Sequence, residues 1–210
     1  MNRNLTDITV VLDRSGSMQR CRADAEGGIN SFISDQKTKP GECTFTMVEF
    51  DSTYRFVHKG VPIANVPPYR LVPGGWTALL DAVGRAIDET GSRLDEMDDA
   101  SRPGLVVFVI VTDGEENSSR EYTLQQIKQK IEHQQSAYNW QFTFLGANQD
   151  AFLAGASLGV RRDAVAQYDV LNAGRMFAAA SSNVSRMRSA AMLDMNVENS
   201  YTAQERTSMS

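Results

Sequence analysis

The apolar run at residues 105–111 (LVVFVIV) constrains the fold of this chain more than any other sequence feature. A strand that is apolar on both faces must be covered on both sides, as helices cover the central strand of a parallel sheet. The run is also far too short to cross a lipid bilayer. It therefore predicts an α/β domain built around a buried central strand.

Shorter apolar runs and helical patterns alternate along most of the remaining chain. Besides the central run, strands are predicted at residues 7–12, 43–50, 54–61, 140–145 and 164–168. Helices are predicted at about residues 18–38, 78–94, 123–135, 150–158 and 173–190. This alternation favours right-handed crossovers, so it predicts a three-layer, doubly wound, Rossmann-like sheet that is mostly parallel and has helices on both faces. Ligands of such sheets bind at the carboxyl ends of the strands, near the point where strand order reverses.

The length and composition are those of one globular domain. A chain of 210 residues accommodates one α/β domain with a large core, and a second full domain beside it is not expected. Hydrophobic residues make up 41% of the chain and charged residues 22%, which are ordinary values for a folded protein. The final residues are polar and lack periodicity. We therefore assign the domain to residues 1–190 and expect residues 191–210 to be a polar tail that the fold does not need.

Charge, cysteine content and the opening residues limit the expected partners and compartment. The net charge of −5 argues against nucleic acid as the main partner. Polar and acidic residues interrupt the opening segment before the apolar core of a signal peptide could form. Cys21 and Cys43 are too few for a disulfide framework or a closed zinc site. We expect a cytoplasmic protein that binds neither nucleic acid nor membranes.

Oxygen-bearing side chains follow two of the predicted strands and precede one of the predicted helices. The first strand ends in a D-x-S-x-S sequence made of Asp13, Ser15 and Ser17, and the central strand is followed by Asp113. Thr77 lies between them in the sequence, just before a helix. Two carboxylates and three hydroxyls, without sulfur or imidazole, suit a hard cation such as Mg²⁺, Mn²⁺ or Ca²⁺. The sequence therefore predicts a divalent-metal site formed by these five residues.

Each of these elements also has an ordinary structural interpretation. Ser15, Ser17 and Thr77 could serve as N-caps of the helices that follow them. Asp113 and the glycine after it could form a simple turn. The metal interpretation depends on all of the elements occurring together at strand-to-helix junctions.

The combination resembles the metal-ion-dependent adhesion site of von Willebrand factor A (vWA) domains. Asp13, Ser15 and Ser17 match the D-x-S-x-S motif of that family, Thr77 matches the threonine of its second loop, and residues 112–114 match its T-D-G motif. The order of strands and helices fits the family over about residues 5–190. The resemblance implies that the two serines, and often the threonine, bind the metal directly, whereas the two aspartates frequently act through water.

The resemblance has two further implications. It implies that one edge strand of the sheet is antiparallel, and residues 54–61 are the expected candidate. Residues 146–150 (GANQD) are similar to stand-alone bacterial and phage members of the family.

Three functions are compatible with such a site. The resemblance favours a protein-interaction module in which a partner's Asp or Glu completes the coordination of a Mg²⁺ ion (or Mn²⁺ or Ca²⁺). The alternative is a structural or assembly subunit of a bacterial or phage complex in which the metal serves stability only. A metal-dependent hydrolase would need a nucleophile or base at the site, and neither His58 nor His133 lies near the metal loops in the sequence. We therefore expect no enzymatic activity.

Residues next to the predicted ligands leave alternatives open. Glu115 and Glu116 are candidates for a rim around the metal, or for ordinary solvated side chains. Trp76 is a candidate for an exposed partner contact, or for a packed anchor of its loop.

Overall fold

The computed structural model describes residues 1–147 and 151–209. Its strands are β1 (Asn2–Asp13), β2 (Glu42–Phe50), β3 (Tyr54–Pro62), β4 (Pro103–Thr112), β5 (Gln141–Gly146) and β6 (Val165–Gln167). Its α-helices are α1 (Arg22–Thr38), α2 (Leu79–Asp95), α3 (Leu124–Ala137), α4 (Ala151–Ser157), α5 (Ala173–Met192) and α6 (Ala203–Met209). A short 3₁₀ helix, Gly16–Cys21, lies between β1 and α1.

The described strands form one sheet in the order β3-β2-β1-β4-β5-β6. Neighbouring strands are parallel except for β2 and β3, which form an antiparallel pair at one edge. The chain first builds outward from β1 to β3 and then returns to place β4 on the other side of β1. The strand order therefore reverses between β1 and β4, which is where an open α/β sheet binds its ligands. The predicted fold class and the antiparallel edge strand are confirmed.

Alternate side chains of the central strands pack into separate cores on the two faces of the sheet. Val10 and Leu12 of β1 belong to a core that includes residues of α1 and α5, whereas Val11 belongs to a core that includes residues of α2 and α3. On β4, Val109 and Ile110 divide between the two cores in the same way. This division explains why β4 is apolar throughout, as a strand with helices on both sides must be.

The C-terminal residues differ from the predicted polar tail. They contain helix α6, and Tyr201 and Met209 are buried in the core on the α1–α5 face. The Met209 carbonyl accepts a hydrogen bond from the Asp169 N–H, at 2.8 Å. The Asn199 side chain donates to the Phe142 carbonyl, at 2.9 Å. The sequence showed no periodicity here because isolated anchors, rather than a repeating apolar stripe, attach the segment.

No helix within residues 1–147 and 151–209 is long and apolar enough to cross a membrane.

Candidate metal centre

The first two ligand-bearing loops begin side by side because β1 and β4 are neighbours. Leu12 pairs with Val111 in the parallel register, so Asp13 and Thr112 end their strands next to each other. The Asp13 side chain is fully buried, and its Oδ2 accepts a hydrogen bond from Thr112 Oγ1 at 2.6 Å. The fold therefore fixes one carboxylate at the point where strand order reverses.

The D-x-S-x-S loop turns its oxygens toward the loop that follows β4. The Ser15 N–H donates to Asp13 Oδ1 at 2.7 Å, and Ser15 Oγ lies 3.0 Å from Ser17 Oγ. Ser17 Oγ in turn donates to Asp113 Oδ1 at 2.6 Å. Ser15 precedes the 3₁₀ helix, but its side chain makes no capping hydrogen bond. The serine hydroxyls are therefore linked to the carboxylates and not used as helix caps.

Backbone hydrogen bonds attach the Thr77 loop to the other two loops. The Gly16 N–H donates to the Gly75 carbonyl at 3.1 Å. Asn117, on the loop after β4, accepts from the Thr77 N–H through Oδ1 at 2.9 Å, and its own N–H donates to the Thr77 carbonyl at 3.0 Å. Helix α2 is preceded by Ala78 as its cap residue, so Thr77 does not serve as its N-cap.

The environment of Gly114 shows that oxygens from all three loops face a common space. A Cβ atom at this glycine would lie 3.3 Å from Thr77 Oγ1, 3.5 Å from Ser17 Oγ and 4.0 Å from Asp13 Oδ2. The structure thus brings together all five residues that the sequence singled out. Asp13, Ser15 and Thr77 are buried, and the Asp113 side chain has no exposed surface.

The two carboxylates lie in an environment that disfavours their charge. Burial raises the pKa of Asp13 and of Asp113 above the ordinary range, and hydrogen bonds from Thr112 and Ser17 lower these pKa values only in part. Asp113 Oδ2 is buried and has no hydrogen-bond partner. The nearest cationic atom to it among the described ion pairs is Arg20 Nη2, at 3.9 Å. A buried carboxylate oxygen without a partner is costly unless a cation or donor compensates for it.

This donor set fits a hard divalent cation. Within the described residues, no group of three or more His, Cys, Asp and Glu side chains could hold a metal ion, so a metal at this position would depend on the hydroxyl oxygens as well. Two carboxylates and three hydroxyls are ligands that Mg²⁺, Mn²⁺ and Ca²⁺ accept. A cation bound among them would also supply the partner that Asp113 Oδ2 lacks. The residues present therefore fit the predicted metal.

Three residues near the predicted ligands were not predicted as parts of the site. Thr112 binds Asp13 and belongs to the T-D-G motif, so that motif was the signal for it. Asn117 and Arg20 belong to no motif, and their proximity to Thr77 and Asp113 depends on the tertiary fold.

The structure shows the surroundings of Glu116 and Trp76, two residues that flank the predicted ligands. Glu116 accepts hydrogen bonds from the N–H groups of Leu80, Ser118 and Ser119, so it joins the loop to the start of α2. Trp76 is 69% exposed and is therefore available for contact with a partner.

Both histidines lie elsewhere. His58 pairs with Met47 on the edge strand β3. His133 lies near the C-terminal end of α3, and its ring packs against that of Tyr138, the residue directly after this helix.

The fold and this group of residues define an open α/β domain with a candidate oxygen-only metal site at its strand-order reversal. Comparison with solved structures identifies the fold as that of vWA domains. A von Willebrand factor type A structure from Catenulispora acidiphila is 17% identical with a TM-score of 0.57, and the match covers 86% of this chain and 42% of that one. No protein-family model and no curated protein matches the sequence.

Two further structures with this fold were solved with a metal. Proximal thread matrix protein 1 from the mussel byssus, with a zinc-occupied MIDAS motif, is 13% identical with a TM-score of 0.60, over 83% of this chain and 46% of that one. The manganese-loaded TRAP protein of Plasmodium vivax is 12% identical with a TM-score of 0.55, over 83% of this chain and 72% of that one. The chain thus spans less than half the length of the mussel protein. The sequence-based expectation that residues 146–150 are similar to stand-alone bacterial and phage vWA domains stays a prediction, and residues 148–150 lie outside the described part of the chain.

Proposed function

We propose that this protein is a metal-dependent protein-interaction module without enzymatic activity. Asp13, Ser15, Ser17, Thr77 and Asp113 hold Mg²⁺, or Mn²⁺ or Ca²⁺ in its place, and an Asp or Glu of the partner protein completes the coordination. The metal-loaded mussel and Plasmodium structures with the same fold support a divalent metal in this type of site. The zinc and the manganese were bound by those two proteins, whereas the partner carboxylate is proposed from the chemistry of the site in this chain.

The single observation that carries this proposal is the unpartnered oxygen of Asp113. The Oδ2 atom is buried without a hydrogen-bond partner, although Oδ1 of the same carboxylate accepts a short bond from Ser17. Oxygens of three separate loops face the neighbouring space above Gly114. A buried carboxylate oxygen without a partner is costlier than a buried neutral hydroxyl without one, because it carries charge. A divalent cation among these oxygens would satisfy it.

The chemistry of the surrounding residues favours binding over hydrolysis. Arg20, the cation nearest to Asp113 among the described ion pairs, offers only N–H donors and no acceptor atom, so it does not serve as a base. Asp13 accepts one hydrogen bond at each oxygen, from Thr112 and from the Ser15 N–H, so its carboxylate is held in place beside the proposed metal. Among these described residues, neither Arg20 nor Asp13 is placed to take a proton from a metal-bound water, which favours binding of an anionic group over hydrolysis.

The test begins with the metal and then moves to the partner. Calorimetric titration with Mg²⁺ and Mn²⁺ should show one binding site in the wild-type protein and a large loss of affinity in the Asp13→Ala variant. Proteins that bind the wild-type domain in Mg²⁺ should be released by EDTA and should not bind the Asp13→Ala variant. Changing the contacting Asp or Glu of the partner to Ala should have the same effect. Undiminished binding in EDTA, with the variant equally competent, would support a structural assembly subunit instead.

We also propose a cytoplasmic location, which rests on the cysteines. Cys21 and Cys43 are both free and buried, as expected of a chain that folds in a reducing compartment. Fractionation of cells that express the protein tests this proposal, and recovery from the extracellular fraction would contradict it.

A further inference from the structure

Arg20 carries a positive charge to the rim of the candidate metal site. It lies on the 3₁₀ helix Gly16–Cys21, one turn after Ser17, and its Nη2 atom is 3.9 Å from the unpartnered Asp113 Oδ2. The Asp113 side chain is completely buried, whereas that of Arg20 is 69% exposed. The guanidinium group is therefore next to a ligand carboxylate and, at the same time, accessible from solvent.

The neighbouring arginines are engaged with acidic residues away from the site. Arg14, inside the D-x-S-x-S loop, has Nη2 at 2.6 Å from Asp51 Oδ2. Arg22, at the start of α1, has Nη1 at 3.6 Å from Glu26 Oε2. Within the described residues Arg20, by contrast, forms its ion pair with Asp113, a proposed ligand of the metal.

The charges at the site determine which ligand it favours. Asp13 and Asp113 together balance a divalent cation, so a metal-loaded site without Arg20 would be neutral. Arg20 adds one positive charge, and a single carboxylate from outside restores neutrality. The guanidinium is also a planar group with several N–H donors, a geometry suited to binding a carboxylate.

We infer that Arg20 selects an anionic ligand at the metal site by binding the partner's carboxylate together with the metal. This inference rests on the proposed function of the site. One carboxylate oxygen binds the metal and the other accepts a hydrogen bond from the guanidinium. In the absence of a carboxylate, Arg20 and the metal repel each other. The carboxylate removes this repulsion, so metal and carboxylate bind cooperatively, and each raises the affinity for the other by the same factor.

The experiment measures Mn²⁺ affinity from the paramagnetic resonance signal of the free ion. Wild-type protein is compared with Arg20→Gln and with Arg22→Gln, a control that removes the same charge two residues away. Each protein is titrated in sodium chloride and again with sodium acetate replacing chloride at equal ionic strength. Because all three proteins meet the same acetate concentration, complexation of free Mn²⁺ by acetate cancels in the comparison.

Arg20→Gln should bind Mn²⁺ about threefold or more tightly than the wild type in chloride, since a nearby positive charge is gone. The gain in affinity caused by acetate should be about threefold smaller in Arg20→Gln than in the wild type. Arg22→Gln should behave like the wild type in both respects.

Equal shifts in the two variants would overturn the inference, because they would show only a general effect of net charge. An acetate effect that is unchanged in Arg20→Gln would also overturn it. If the wild-type protein itself binds no Mn²⁺, the proposed function fails, and the inference fails with it. If the wild type binds Mn²⁺ and Arg20→Gln behaves in the same way, only the role of Arg20 is contradicted. The proposed function is then still supported.

Discussion

Ser17 and Asp113, which are 96 positions apart in the sequence, are joined by a 2.6 Å hydrogen bond from Ser17 Oγ to Asp113 Oδ1. This bond fixes the orientation of the carboxyl group and leaves Oδ2 buried without a partner. Ser17 thus holds the Asp113 carboxyl group in an orientation in which its second oxygen has no hydrogen-bond partner.

Replacing Asp113 by Asn should stabilise the metal-free protein and abolish metal binding. Burial raises the pKa of Asp113, so an ionised carboxylate at this position costs folding free energy at neutral pH. The neutral amide avoids this cost, and we expect a gain of about 1 kcal/mol in EDTA. Chemical denaturation in EDTA and in Mg²⁺ provides the measurement. In Mg²⁺ the order should reverse, because the metal stabilises only the wild type.

Asp95→Asn is the control for this change, since it removes the same charge from a side chain that is 90% exposed. Its stability should stay within about 0.5 kcal/mol of the wild type under both conditions. An Asp113→Asn protein that is less stable than the wild type in EDTA would contradict the interpretation of a strained metal-free site.

Asn117→Ala should weaken metal binding although Asn117 is not a predicted ligand. Its Oδ1 accepts the Thr77 N–H at 2.9 Å, and loss of this bond would release the threonine hydroxyl from its position. We expect a fall in Mg²⁺ affinity of about tenfold, the range reported for residues that orient metal ligands. Asn117→Asp keeps the acceptor oxygen and should restore most of the affinity. Calorimetric titration of each variant is the measurement.

Ser118→Ala is the matched control, because the Ser118 hydroxyl is buried without a hydrogen-bond partner. Its removal should leave metal affinity unchanged. Equal losses of Mg²⁺ affinity in the Asn117 and Ser118 variants would show that any change in this loop disturbs the site. They would contradict a specific role for Asn117.

The sequence was sufficient for the architecture and for the grouping of the five candidate ligands. Strand ends in a parallel sheet meet at one edge, so motifs placed at the ends of β1 and β4 had to meet there as well. The structure confirms that Asp13 ends β1 and that Asp113 directly follows the adjacent strand β4. Their role as metal ligands remains a prediction. The roles of Asn117 and Arg20 could not be predicted. Asn117 contacts Thr77, and Arg20 contacts Asp113, but no periodicity or motif in the sequence relates the members of either pair.

The same limit explains the C-terminal residues. Hydropathy patterns detect elements that bury a repeated stripe, whereas this segment is held by separated side chains such as Tyr201 and Met209. Arg206 contributes a different kind of anchor, because its Nη1 donates to the Val165 carbonyl of the edge strand β6 at 2.7 Å. The sequence does not indicate that a charged residue in a polar stretch binds the edge of a sheet.

Met209→Ala should therefore destabilise the protein although it lies one residue from the end of the sequence. The side chain is fully buried, and truncation of a buried methionine to alanine costs about 2–5 kcal/mol. Met195→Ala is the control, since that side chain is 62% exposed and its loss should cost less than about 0.5 kcal/mol. Thermal and urea unfolding of the two variants provide the comparison. Equal stabilities would mean that the burial of Met209 does not hold this segment to the domain.

Asp7 should make stability depend on pH in a direction opposite to that of most carboxylates. Burial raises its pKa from 3.8 to about 6, and the ion pair with Arg93 lowers the pKa only in part. Below about pH 4 both the folded and the unfolded states hold the proton, whereas between about pH 4 and 6 only the folded state keeps it. This contribution of about 3 kcal/mol favours the folded state at low pH and is lost as the pH rises through about 6.

Urea unfolding of the wild type and of Asp7→Asn across this range isolates the contribution of Asp7, because every other group titrates in both proteins. The unfolding free energy of the wild type, relative to that of the variant, should fall as the pH rises. Parallel profiles would show that the ion pair with Arg93 compensates fully for the burial of Asp7.

Gly114→Ala should abolish metal binding while the protein stays folded. The backbone of Gly114 does not have a positive φ, so alanine is compatible with its conformation. The added methyl group, however, would enter the space faced by Thr77 Oγ1, Ser17 Oγ and Asp13 Oδ2, at 3.3, 3.5 and 4.0 Å. We expect a loss of Mg²⁺ affinity of about a hundredfold, the upper range for disturbed metal sites. Calorimetric titration measures the affinity, and circular dichroism verifies the fold.

Gly74→Ala is the matched control, since a Cβ atom there would meet no heavy atom within 4 Å although the residue belongs to the Thr77 loop. This variant should bind Mg²⁺ like the wild type. Because the two substitutions add the same methyl group, a difference between them reports the space above Gly114 and not the general effect of removing a glycine. Normal metal affinity in Gly114→Ala would place the ion elsewhere, and the five oxygens would then be a hydrogen-bonded junction between loops.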